Sequence, residues 1–177
     1  DMMAAETLLH ENSTLAEMLE DPMPRAFLYQ AQGHFAYLEG NQRRARGRYE
    51  ACRELSRDLG LEAIYAAVTC DMAMLAVEGG NLREAQGLLF EGLAIVDQLG
   101  ARLFMTRCLE ASAFLLAQRR DVADALILAG AIQALHASMG TVSISPYWNR
   151  FDESIELARQ TLDQREADAA CARGQAM

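Results

Sequence analysis

Lysine is absent from this 177-residue chain: all 16 basic side chains are arginine, against 25 acidic ones, for a formal net charge of −9. An acidic surface is a poor counterion for a phosphate backbone, which argues against nucleic acid or an anionic membrane as a direct partner. Only three prolines interrupt the chain, and no sustained run of alternating β-branched residues offers a strand. Abundant Ala, Leu, Glu and Arg therefore favour helix almost throughout. No uninterrupted apolar stretch approaches membrane-spanning length, and the N-terminal "DMMAAETLLHENS" lacks the basic and apolar regions of a signal peptide. The expectation is a cytoplasmic protein. A GxxxxGKS/T phosphate loop, a GxSxG elbow and a close His/Cys cluster are all missing. No cofactor, metal or catalytic residue is expected, which points away from an enzyme.

Four cysteines, Cys52, Cys70, Cys108 and Cys171, show no spacing that implies a disulfide framework. They read as small buried hydrophobes in a reducing compartment. His10, His34 and His136 are too dispersed to propose a metal site. The carboxylates of Asp152, Glu153 and Glu156 answer a helix dipole better than they serve acid–base work. Six guanidiniums, of Arg43, Arg44, Arg46, Arg48, Arg53 and Arg57, crowd one segment, but Glu50, Glu54 and Asp58 interleave with them. A solvated, salt-bridged helix face is the expectation.

What the chain does have is self-similarity. "EGNQRRARGRY" at 39–49, "EGGNLREAQGLL" at 78–89 and "RRDVADALILA" at 119–129 are successive copies of one phrase. A forty-residue ruler aligns Ala5, Ala45, Ala85 and Ala125, and turn glycines at Gly60, Gly100 and Gly140. Leu15, Leu55, Ile95 and Leu135 follow it as well, as do Leu19, Leu59, Leu99 and Met139. Partner helices at about 25–39, 61–79 and 101–119 align Gly33, Ala73 and Ala113. Each copy reads as one helical hairpin, with Asn41, Asn81 and Asp121 as N-caps and the glycines as left-handed helix ends. A single hairpin cannot bury its apolar face alone, so successive hairpins stack over one continuous core.

The ends depart from the ruler. Residues 1–20 match only the second helix of a truncated repeat, with "EDPMP" at 20–24 as an interruption. This suggests a piece of a longer protein whose exposed Met2, Leu8 or Leu9 could self-associate. After Gly140, "TVSISPYW" is an irregular connection with Ser145 as N-cap and Pro146 as first helical residue. A capping helix through about Leu162 follows, burying Trp148, Phe151, Ile155, Leu157 or Ala158, and Leu162. Residues 166–177 form a last short helix or fray.

The small residue at the eighth position, the Gly-Asn or Arg-Asp turn and the Ala at the twentieth resemble the tetratricopeptide repeat, although forty residues exceed its usual length. Longer repeats of this kind are similar to the sensor region of bacterial LuxR-type (MalT-like) and related STAND NTPase transcriptional regulators. "LAGAIQALHASMG" at 128–140 is similar to that family's "LLGAAEALRExxG", "FDESIELARQTL" at 151–162 to its "YERALAAARAAL", and "AACARGQAM" to its closing "AAWAEGRAL". The resemblance implies an all-α, right-handed α-solenoid of tetratricopeptide-like hairpins over 1–177, with repeats at 25–60, 61–100 and 101–140 and a cap at 145–177. It also implies a non-catalytic sensor domain that binds a protein, a peptide or a small effector on its concave face. A free-standing scaffold that assembles other proteins is the alternative.

Carrying the family's groove register onto this chain gives Phe27, Gln30, His34, Tyr37 and Leu38, then Cys70, Met74 and Val77, then Arg107, Glu110, Phe114 and Gln118. Met74 and Phe114 have a second reading, as packing between repeats. A groove of this composition argues against a chaperone-tail clamp, which needs Lys, Arg and Asn at successive inner positions.

Overall fold

A computed structural model describes Thr7, Leu9, residues 21–143 and residues 146–177 of the chain. The expected N-terminal half-repeat lies largely outside these residues, as do Met2, Leu8, His10 and Ser145; Leu9 is half-buried. The described residues form eight helices and no strand: α1 (Met23–Leu38), α2 (Gln42–Asp58), α3 (Glu62–Glu78), α4 (Leu82–Leu99), α5 (Arg102–Gln118), α6 (Val122–Met139), α7 (Trp148–Arg159) and α8 (Gln164–Gln175). The protein is all-α.

The ends of α1 to α6 fall on a strict ruler. Positive φ occurs at Gly40, Gly60, Gly80, Gly100, Arg120 and Gly140, every twentieth residue. Beside each, the next amide reaches back to a carbonyl of the ending helix: Asn41 to Ala36 at 2.9 Å, Leu61 to Ser56 at 2.8 Å, Asn81 to Ala76 at 2.8 Å. This closure needs a left-handed residue, and glycine supplies it without Cβ strain. Arg120, at φ 66°, is the exception. A non-glycine residue there carries roughly 1–2 kcal/mol of strain, so Arg120→Gly should stabilise the protein by about 0.5–1 kcal/mol after the greater freedom of unfolded glycine is discounted. Urea denaturation reads this out, and a loss of stability would contradict it.

Burial repeats at twice that spacing. Ala45, Ala85 and Ala125 are wholly buried, and below them lie Tyr49, Leu89 and Ala129, then Cys52, Gly92 and Ile132, then Ser56, Val96 and His136. Steps of four, three and four residues keep one stripe of each helix facing inward. Helices α1 and α2, α3 and α4, and α5 and α6 pack as pairs, and each pair packs on the next through α2 against α3 and α4 against α5. The leading helices also meet directly, α1 on α3 and α3 on α5. Helix α3 is thereby enclosed on all sides, with every residue from Ala66 to Val77 buried. Because Ala85 sits at such a crossing, Ala85→Leu should cost roughly 1–3 kcal/mol by overfilling it; a thermal melt equal to wild type would place Ala85 on the wrong face.

The C-terminal helices close the structure. Helix α7 leans on α5 and α6, while α8 lies against α6. Gly130 and Gly174 meet there, and a Cβ on Gly174 would collide with the Ile127 carbonyl and stand 2.8 Å from the Ala131 amide.

Several local expectations are corrected. Of the three expected N-caps, Asn41 alone caps with its side chain, accepting from the Arg44 amide at 3.0 Å; Asn81 instead donates to Glu84, and Asp121 pairs with Arg119. Helix α7 starts at Trp148 with Tyr147 as its N-cap residue, so Pro146 precedes the helix. Ala158 faces the core and Leu157 faces out. Residues 164–175 are helical. Leu59 and Leu99, apolar by the ruler, are exposed at helix ends. The arginines reach beyond their own helix: Arg46 pairs with Glu84 as well as Glu50, and Arg53 with Glu91 at 2.6 Å. Among the described residues one helix, Val122–Met139, is long and apolar enough by composition to cross a membrane; it packs on α5, α7 and α8.

Candidate functional site

Three leading helices contribute to one buried cluster. Asp71 of α3 is 2% exposed. Its Oδ2 accepts from Gln30 Nε2 at 2.9 Å and lies 3.0 Å from His34 Nε2, both on α1, while Oδ1 pairs with Arg107 Nη2 on α5. Arg107 Nη2 also sits 3.3 Å from His34 Nε2. A carboxylate with this many donors is stable as the anion. Burial alone would push Asp71 up, but Arg107 and then His34 override it and hold the carboxyl well below the usual range.

The second helix of the first pair also reaches this face. Tyr49, on α2, is fully buried with its ring over Gly33, where any Cβ would strike it. Gly33 therefore gives the ring its seat. The Tyr49 ring stands edge-on to His34 at 5.7 Å, and its hydroxyl accepts from Tyr147 at 2.8 Å, 98 residues away in the chain. Tyr147 in turn lies against Tyr37, with centroids 4.1 Å apart. The Tyr37 hydroxyl donates to Glu78 Oε1 at 2.7 Å. Tyr147, just before α7, thus reaches back to the first hairpin near Asp71.

A second buried carboxylate lies farther along α5. Glu110 is 3.5 Å from His136 Nε2 and is hydrogen-bonded by Ser143; His136 Nδ1 lies 3.1 Å from Thr141 Oγ1. Here burial wins and raises the Glu110 carboxyl above its ordinary value, against Ser143 and His136. Both described histidines therefore face carboxylates, which their spacing in sequence did not reveal.

Cys70 and Cys108 form a disulfide joining α3 to α5, with Cα atoms 5.5 Å apart. This corrects the expectation of four free thiols; Cys52 and Cys171 remain free and buried. Gly92 makes room for the sulfurs, since a Cβ there would stand 2.9 Å from Cys70 Sγ. Burial pushes the Cys52 thiol up to about 11, against Ser56, and its Sγ donates to the Ala26 carbonyl at 3.1 Å. Such a thiol is a poor nucleophile. Among the described residues no group of three His, Cys, Asp or Glu side chains is placed to hold a metal.

The sequence-derived groove residues thus divide. Gln30, His34 and Arg107 converge on Asp71, Tyr37 joins the adjacent aromatic group, and Glu110 belongs to the second pair. Cys70 is disulfide-bonded, and Met74 and Phe114 are buried as packing residues, the alternative weighed for them. Phe27 is 51% exposed, one turn before Gln30. Asp71, Tyr49, Tyr147 and Glu78 were missed. A lone carboxylate in the apolar "TCDMAML" was the one signal available for Asp71.

A cavity of about 380 Å³ opens beside this cluster, bounded by Val77, Glu78, Phe114, Gln118, Arg150 and Leu157 among others. The features together define an all-helical protein with an inner polar cluster and an adjoining open pocket. No protein-family model, curated protein or solved structure matches the chain.

Proposed function

We propose that the chain is a right-handed α-solenoid of tetratricopeptide-like hairpins, the sensor region of a bacterial LuxR-type transcriptional regulator, and that it binds a protein, a peptide or a small effector on its inner face without catalysis. The observation that carries this reading is the side-by-side placement of α1, α3 and α5, whose inward residues share one surface. The forty-residue burial pattern supports the repeat assignment. Asp71 is saturated by donors and inaccessible, so it serves to fix three helices rather than to move protons.

The test is capture of a partner from the source organism by wild type, by Phe27→Ala on the inner stripe and by Phe90→Ala on the outer surface. Phe90 is 67% exposed on α4. Loss with Phe27→Ala alone is expected; loss with Phe90→Ala alone would move the binding surface outward. The gene context separates the two parent proteins: an upstream nucleotide-binding module with a DNA-binding domain supports the regulator, and repeats alone support the scaffold.

A further inference from the structure

We propose that the cavity over Glu78 receives the guanidinium of an arginine side chain from a basic peptide segment of a partner, with Glu78 as counter-ion and Arg150 as the group displaced. The proposal rests on the inner-face reading above and gives that face a ligand chemistry.

The Glu78 carboxylate is 12% exposed at the cavity wall. The Tyr37 hydroxyl at 2.7 Å and the Gln42 amide at 3.3 Å fix both of its oxygens, and neither donor carries charge. Among the described residues its ion-pair partner is Arg150, whose Nε stands 3.6 Å away while its side chain is 62% exposed. Arg150 also reaches Glu153 at 3.5 Å. The Arg150 end of this pair is exposed and exchanges readily with water, whereas the carboxylate it covers is held by two neutral donors and largely desolvated. Apolar side chains complete the pocket: Val77 and Phe114 are buried beneath it and Leu157 stands at its rim. That combination suits an arginine, with a methylene stem to lay on apolar surface and a planar fork for a carboxylate. Arg150 occupies the site as an internal stand-in for the ligand, and its departure leaves Glu78 and Glu153 facing the incoming cation. The acidic net charge of −9 favours approach of a basic segment.

Calorimetric titration with acetyl-Ala-Arg-Ala amide, and with the same peptide carrying neutral citrulline for arginine, tests the proposal. The arginine peptide should bind about tenfold or more tightly than its citrulline counterpart. Glu78→Gln, checked for native circular dichroism, should weaken it by about tenfold, and the surface variant Glu153→Gln should weaken it by roughly threefold. Arg150→Ala should tighten it about threefold or more by removing the competitor. Equal binding of the two peptides, no binding to wild type or Arg150→Ala, or unchanged affinity in Arg150→Ala overturns the proposal. Any of these alongside Phe27-dependent capture of a partner leaves the inner-face reading standing, so the two failures are distinguishable.

Discussion

Asp71→Asn is expected to cost about 3–5 kcal/mol of folding stability, because it leaves the buried Arg107 guanidinium without its counter-ion. Arg107 is 14% exposed and Asp71 3% by side chain, so water cannot replace the lost partner. Chemical denaturation measures the cost, and a loss under about 1 kcal/mol would mean that the pair is solvated. The double variant Asp71→Asn, Arg107→Gln should be less destabilised than the sum of the singles by more than about 1 kcal/mol, as residues in direct contact couple. The pH dependence follows from the sign of the shift. Burial raises the Asp71 carboxyl, Arg107 and His34 lower it by more than burial raises it, and the folded value ends below the unfolded one. A depressed folded value gives stability that is complete above the unfolded pKa of about 3.9 and lost as pH falls below it. The gap between wild type and Asp71→Asn should therefore be full at neutral pH and narrow under acid conditions.

Gly174→Ala should remove about 3 kcal/mol, the upper end of the range for overpacking. The added methyl would meet backbone of α6 at Ile127 and Ala131, which cannot turn aside as a side chain can. Gly130 faces the same crossing, where a Cβ would strike the Cys171 carbonyl, so neither helix can yield toward the other. Relief comes only by lifting α8 from α6, which uncovers Ala167, Ala170 and Cys171. Hydrogen exchange should show early loss of protection across 164–175 with α1 to α4 unchanged. Full protection of α8 in this variant would show that the two helices do not cross at their glycines.

The repeat was legible in the sequence because it lives in local chemistry. An alanine where two helices cross and a glycine where one ends are required by backbone geometry, so Ala45, Ala85 and Ala125 and the turn glycines line up without knowledge of the tertiary fold. Arg120 shows the limit: the slot holds its left-handed conformation when the residue does not favour it, because the surrounding closure from Asp121 to Leu116 is unchanged.

The inner cluster was legible only in part. On α1, polar and aromatic residues form a stripe, and Gln30, His34 and Tyr37 of the expected groove face α3 together, at Asp71 and Glu78. Helix α3 carries no stripe, because neighbours bury it all round, and its register about its own axis is invisible in the pattern. The groove register therefore selected Cys70 where Asp71, one residue on, faces the cluster. The Cys70–Cys108 pairing was hidden for a related reason: 38 residues of sequence separate two cysteines that the packing of α3 on α5 brings together. Tyr147 lies by sequence in a connection, and nothing local signals that its hydroxyl meets Tyr49 on the first hairpin.

That long-range meeting ties the two ends of the described structure together. Two-dimensional proton spectra with tyrosine rings selectively labelled should give cross-peaks between Tyr37 and Tyr147, whose centroids lie 4.1 Å apart, and between Tyr49 and Tyr147. Both are expected if the leading helices share one inner surface that Tyr147 meets. Their absence, with the rest of the spectrum well dispersed, would show that the hairpins do not converge on a common cluster.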